Sequence, residues 1–386
     1  MGAEMTPRER LMAASRKQHT DKLPFFHNWR HMQTGLAERE CRNRGMGITW
    51  DRPSCTMKMH GVTVVEEVDR SEPLIVRRTY STPVGSISLL EKRAPGTGLW
   101  HAQRGWRDVT PWQRERAIKT PEDYKVLKYM IENTEYVADY FPLEQAKEWL
   151  GDDGIIVDSL HGLLWDFVPH SPMQTLMIDW IGSEGGRCFV HMAKYLDLVE
   201  ELYSAFSKTY EAMYEIAAES PADIVWCCDN IDDVLVNPRL FEKYFMPEYE
   251  KMARVLHAHG KLLAVHMDGR VDAIKDLIAK TPIDIVEALH PPPLCDLPIG
   301  EALSLWRDKV IWVGFPATVY ALGTQAVKEF TVNLLRDVVP GERLAITMST
   351  ENLVSNENLL QLTSVLENAD LPLTQEKISR IEKSLE

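Results

Sequence analysis

From Pro121 onward, short continuous apolar runs alternate with amphipathic helical stretches. That rhythm restricts the chain to a parallel sheet covered by helices. The runs are Gly154–Asp158, Ala222–Cys228, Lys261–His266, Ile283–Glu287, Val310–Gly314 and Arg343–Thr347, with helical patterns over 121–149, 187–219, 238–259, 270–280, 298–307 and 322–338. Leu23–His27 reads as a further buried strand. Ahead of it, Thr6-Pro7-Arg8-Glu9 sets a capping Thr, a Pro at the first helical position and a Glu at the third, which starts a helix. With one more strand the set closes an eight-stranded barrel. The expected fold is therefore α/β, a single (β/α)8 TIM barrel over residues 1–386. An open doubly wound sheet is the alternative. No Gly-x-Gly-x-x-Gly follows the first strand and no Gly-x4-Gly-Lys-Ser/Thr occurs, so nucleotide binding through a glycine loop has no support.

Residues 35–120 differ in texture. Val62–Val65, Leu74–Tyr80 and Ser86–Leu90 are rich in β-formers, and Thr82-Pro83-Val84-Gly85 is a turn. This stretch, with Trp100, Trp106 and Trp112 at its end, is expected to be an N-terminal antiparallel hairpin insertion and not a separate domain.

Charge narrows the partners. Lys and Arg number 43 against 57 Asp and Glu, a net charge of −14, whereas phosphate neutralisation needs a basic surplus; nucleic acid is not expected as a partner. The first 60 residues run the other way, with eleven basic against six acidic side chains, as a solvated surface or a grip for carboxylates and phosphates. The six cysteines form no Cys-x-x-Cys, and no apolar run approaches the ~18 residues of a membrane span. A reduced, cytoplasmic chain without a membrane segment is expected.

Barrel chemistry sits at the C-terminal strand ends. Those ends read His27-Asn28-Trp29-Arg30, Asp158, Cys228-Asp229-Asn230, His266-Met267-Asp268, Glu287, Phe315 and Thr347–Glu351. His266, Asp268 and, one strand later, Glu287 supply one imidazole and two carboxylates. Such a set suits zinc or another divalent metal as Lewis acid, or equally a hydrogen-bonded polar layer without metal. His290 and Cys295 flank Pro291-Pro292-Pro293 as a loop brace or further ligands. Asp229, with Asn230, is the catalytic candidate, as general acid/base or as a hydrogen-bond anchor. Cys227 and Cys228 fall on opposite faces of one strand, so at most one lines the interior, each as a small core residue. His27, Trp29, Arg30, Trp226 and Phe315 are the substrate-binding candidates, and Trp165 and Trp180 follow Asp158.

These residues carry a family likeness. Arg8-Glu9-Arg10-Leu11, Lys22-Leu23-Pro24, Asp229, Asn237–Phe241, Phe245–Tyr249, Ala258-His259-Gly260, His266–Gly269, Glu287-Ala288, Pro291–Pro293 and Glu357–Leu359 together resemble the uroporphyrinogen decarboxylase superfamily. The chain is closer to its corrinoid-dependent methyltransferases than to the decarboxylase, whose paired-Arg, Gln-Ala-Gly segment is replaced here by His27–Gly35, with Arg30 as the one carboxylate anchor. Methyltransferase members bind zinc through His-x-Cys and a later Cys. Here Asp268 stands for the first Cys and Thr347–Thr350 holds none, leaving Glu287 as the natural substitute. The resemblance implies metal-assisted movement of a methyl group between a small methylated substrate or acceptor and a corrinoid (methylcobalamin) on a partner protein. The alternatives are a decarboxylase or lyase acting on a small carboxylate through Arg30 and Asp229, or a non-catalytic ligand-binding barrel.

Overall fold

The computed structural model describes residues 4–69, 74–93, 112–160, 170–350 and 354–385. The chain forms two compact units. The first holds 1–52, 140–159 and 220–386, and the second 53–139 and 160–219.

In the first unit β1 (Phe25–Asn28) and β2 (Gly47–Arg52) join β9 (Gly154–Ser159), β10 (Ile224–Cys227), β11 (Leu262–His266), β12 (Ile285–Leu289), β13 (Val310–Gly314) and β14 (Leu344–Thr347). These eight close into a barrel in the order β1-β14-β13-β12-β11-β10-β9-β2, every pairing parallel. Each residue of β9, β10, β13 and β14 is buried, as strands covered on both faces require. The strand missing from the sequence reading is β2. The helix Pro7–Ser15 opens with the capping box expected at Thr6, whose side chain accepts from Glu9 N while Glu9 returns a bond to Thr6 N.

Glycine matters where strands meet most closely. A Cβ on Gly154 would lie 2.0 Å from the Ile48 carbonyl oxygen, so β2 and β9 pair at this distance only because none is there. At the opposite end from the site, a basic residue just before a strand collects loop carbonyls three times. Lys261 Nζ donates to Ser220 O and Ala222 O (both 2.6 Å) and Lys309 Nζ to Thr281 O (2.6 Å) and Ile283 O (3.3 Å). Arg343 donates to Leu303 O, Trp306 O and Lys309 O at 2.8–3.0 Å.

Several expected helices are shorter than their patterns. Residues 238–259 contain a wide π turn, Phe241–Phe245, before the helix Met246–Ala258, because Pro247 has no N–H to continue the i→i−4 ladder. The pattern 121–149 is interrupted by β8 (Thr134–Ala138) of the second unit, where Thr, Tyr and Val favour extended backbone; it pairs antiparallel with β3 (Cys55–Met59). The pattern 187–219 breaks at Tyr195 (φ −136°, ψ 39°) into the helices Arg187–Lys194 and Leu196–Glu219. The second unit also holds an antiparallel sheet of β4 (Thr63–Asp69), β5 (Leu74–Thr82), β6 (Gly85–Arg93) and β7 (Trp112–Glu115). Trp100, Trp106, Trp165 and Glu351 lie outside the described residues.

Candidate functional site

Register builds the centre of the site. In β11 and β12, His266 pairs directly with Glu287, so the two side chains leave neighbouring strands at one level of the barrel mouth. His266 Nδ1 donates to Glu287 Oε2 at 2.5 Å, and the same oxygen accepts from Trp226 Nε1 at 3.1 Å. Two residues on, Asp268 Oδ2 lies 3.5 Å from His266 Nε2. The imidazole is thus held between two carboxylates. Burial works against its charge, but Glu287's charge and the bonds to both carboxylates prevail and push its pKa up to about 10. Burial would raise Asp268, but the bond and charge of His266 hold its carboxyl below the ordinary value.

The three residues proposed as metal ligands do come together, as a triad in which His266 is hydrogen-bonded to Glu287 and ion-paired with Asp268. A shared ion would need one ring nitrogen and both carboxylates turned towards a common point, whereas here each ring nitrogen faces a different carboxylate. Among the described residues no group of three His, Cys, Asp or Glu side chains is arranged to hold a metal. As arranged, these residues do not fit the expected zinc.

A second ion pair stands across the mouth. Arg30 Nε lies 2.9 Å from Asp51 Oδ2, both side chains buried, and Asn28 Nδ2 donates to Asp51 Oδ1 at 3.0 Å. The Arg30 guanidinium carbon sits 5.2 Å from the centre of the Trp226 ring. Arg30, Trp226, Glu287, His266 and Asp268 therefore form one connected string. Cys228 belongs beside it. Burial pushes its thiol well up, Arg30 pulls it down, and Glu287 and Asp268 push it up again.

Other candidates lie elsewhere. Trp29 stacks on Trp50 (3.9 Å between centroids) beneath the Arg52 guanidinium (4.8 Å). Trp50 and Arg52 alternate with Asp51 along β2, so this stack is on the opposite face of that strand from the ion pair. His27 is buried, with Nδ1 3.0 Å from Asn28 O and 3.3 Å from Ser349 Oγ, which ties the ends of β1 and β14. Asp229 is fully buried and accepts from Tyr249 OH (2.7 Å) on the helix Met246–Ala258; Asn230, next to it, is partly exposed. Phe315 is fully buried against Tyr320 (4.7 Å) and Phe330 (5.7 Å), within the helical layer. Trp180 is buried in the second unit.

His290 joins the mouth through an irregularity in β12. The pairing with β13 shifts between Glu287 and Leu289, and Ala288 takes a left-handed φ of 59° that a side-chain-bearing residue rarely adopts. Past this bulge, His290 Nδ1 donates to Gly314 O at 2.8 Å. The ring lies where a Cβ on residue 314 would be, 2.5 Å from its Cε1. Burial holds His290 below the ordinary imidazole value even though Asp268 and Glu287 pull it upward. Sequence reasoning missed Asp51, Trp50 and Arg52 because it did not see β2; the signal present was the run Ile48-Thr49-Trp50.

The chain matches no protein-family model and no curated protein. Among solved structures it is similar to a methyltransferase from Methanosarcina mazei, at 14% identity and a TM-score of 0.55, over 94% of this chain and 98% of that one. An Old Yellow Enzyme from Pichia sp. AKU4542 aligns at 11% identity and a TM-score of 0.35, over 92% of this chain and 86% of that one. The first likeness is one of fold, the closed parallel barrel.

Proposed function

We propose that the chain is a barrel methyltransferase of the uroporphyrinogen decarboxylase-like kind, moving a methyl group from a small methylated compound to a corrinoid carried by a partner protein. The observation that carries the reading is the Glu287–His266–Asp268 triad on adjacent strands at the mouth of a closed parallel barrel. Methyl transfer breaks a carbon–heteroatom bond whose electron pair stays on the heteroatom, so the heteroatom must be cationic to depart as a neutral group. Reduced corrinoid supplies the electron pair that takes the methyl carbon. The triad's two carboxylates outweigh its single imidazolium, and this fixed negative charge draws a cationic heteroatom into the mouth and orients its methyl group outward for transfer.

The competing carboxy-lyase reading asks Arg30 to anchor a substrate carboxylate. Its guanidinium is already ion-paired with buried Asp51 and laid over Trp226, which speaks against that use. The test incubates the protein with chemically reduced free cobalamin and a panel of methoxy, methylthio and methylammonium compounds, following methylated cobalamin by absorbance. Transfer from at least one class is expected, with a loss of about 100-fold or more in His266→Ala. Wild-type turnover in that variant, or no transfer from the whole panel, overturns the proposal.

A further inference from the structure

We infer that the mouth selects its methyl donor by charge: the substrate is a methylated ammonium cation, held at the carboxylate of Asp268. This rests on the reading of the same site given above and names its substrate class.

Arg30 is balanced by Asp51. His266 is the one imidazole between two carboxylates, Glu287 and Asp268, which leaves that triad at least one negative charge in excess. Arg270, two residues beyond Asp268, is turned to Asp296 (3.2 Å) and Asp233 (4.0 Å). Arg52 lies over Trp29 on the other face of β2. His290 is buried with Nδ1 committed to Gly314 O, and burial disfavours its charged form.

The excess charge is also the accessible one. The Asp268 side chain is 42% exposed, against 19% for His266 and 16% for Glu287. Its contact with His266 is the longer of the two, 3.5 Å against 2.5 Å, which leaves carboxylate capacity towards the mouth. A carboxylate, sulfonate or phosphate on the substrate would meet this charge as repulsion. A neutral ether or thioether would gain nothing from it until protonated. An ammonium arrives already carrying the charge that lets the heteroatom leave as a neutral amine, so the carboxylate binds the methyl donor and loses its hold on the demethylated amine once the charge is discharged.

The experiment is isothermal titration calorimetry of the full chain at pH 7.5 with tetramethylammonium chloride, neutral tert-butanol and methanesulfonate as size-matched probes. The cation is expected to bind at least about tenfold more tightly than either other probe. Asp268→Asn should weaken the cation by about tenfold, equivalent to about 1.4 kcal/mol, while Asp268→Glu retains binding. Equal affinity for the three probes, no binding by any of them, or an unchanged affinity in Asp268→Asn overturns the inference. The two proposals fail separately. Charge-selective binding without methyl transfer from any donor removes the methyltransferase reading and leaves the cation site. Methyl transfer from ethers or thioethers, with no preference for the cation, does the reverse.

Discussion

Gly314→Ala probes how the mouth is assembled. Gly314 ends β13 with an unexceptional φ, so alanine costs little in backbone conformation. The added Cβ would instead lie 2.5, 2.8 and 2.9 Å from Cε1, Nδ1 and Nε2 of His290. Non-bonded carbons settle at about 3.5–4 Å, so the ring must retreat by roughly 1 Å and give up its 2.8 Å bond to the residue-314 carbonyl. Overpacking of this kind costs about 1–3 kcal/mol and the lost hydrogen bond about 1 kcal/mol, giving an expected destabilisation of about 2–4 kcal/mol. Urea midpoints at constant slope measure it. The cause is isolated by a double-mutant cycle. In a His290→Ala background the new methyl has room, so Gly314→Ala should then cost under about 0.5 kcal/mol, a coupling of about 2 kcal/mol or more. A single variant as stable as wild type, or a cost that persists without the imidazole, would refute this account of how His290 is seated.

Arg30→Met strands the Asp51 carboxylate in a buried place and should cost about 3–5 kcal/mol, while adding Asp51→Asn should recover part of it; urea midpoints of the two variants decide. Lys309→Met removes the donor from the buried carbonyls of Thr281 and Ile283 and should cost about 1–3 kcal/mol, and an unchanged thermal midpoint would count against the grip described for it. His266 titrates at about 10 when folded against about 6.5 in a free chain, so its contribution is fully present below pH 6.5 and is lost as pH rises towards 10. Stability measured by urea between pH 6.5 and 10 should fall by a few kcal/mol, on the order set by that displacement, and the fall should be much smaller in Glu287→Gln.

Seven of the eight barrel strands were legible because apolar continuity over four to six residues is what a strand buried on both faces demands. The eighth, Gly47–Arg52, ends in Asp51 and Arg52, and its mixed polarity hid it. With it went Asp51, the partner that decides what Arg30 can do. The grouping of His266, Asp268 and Glu287 was legible from strand order. Which imidazole nitrogen meets which carboxylate depends on register and rotamer, and spacing encodes neither. Asp229 shows the same limit: a strand-end carboxylate in sequence, it is claimed in the structure by Tyr249 from the helical layer.

The register that makes the three residues a poor cage for an ion also makes them a good counter-charge. A metal-binding histidine keeps one nitrogen for the ion and gives the other to a second carboxylate or carbonyl, which fixes its ring. Here both nitrogens are given to carboxylates, so the ring is an imidazolium that holds two anions in place. Replacing Asp268 by Asn would remove the anion that faces the mouth while leaving Glu287, Trp226 and the shorter hydrogen bond intact. The variant should therefore keep the fold and the seated imidazole but lose the preference for a cation. Loss of the fold in Asp268→Asn would instead mean that the outer carboxylate is part of the scaffold, and Asp268→Glu, which keeps the charge, then decides the cation preference.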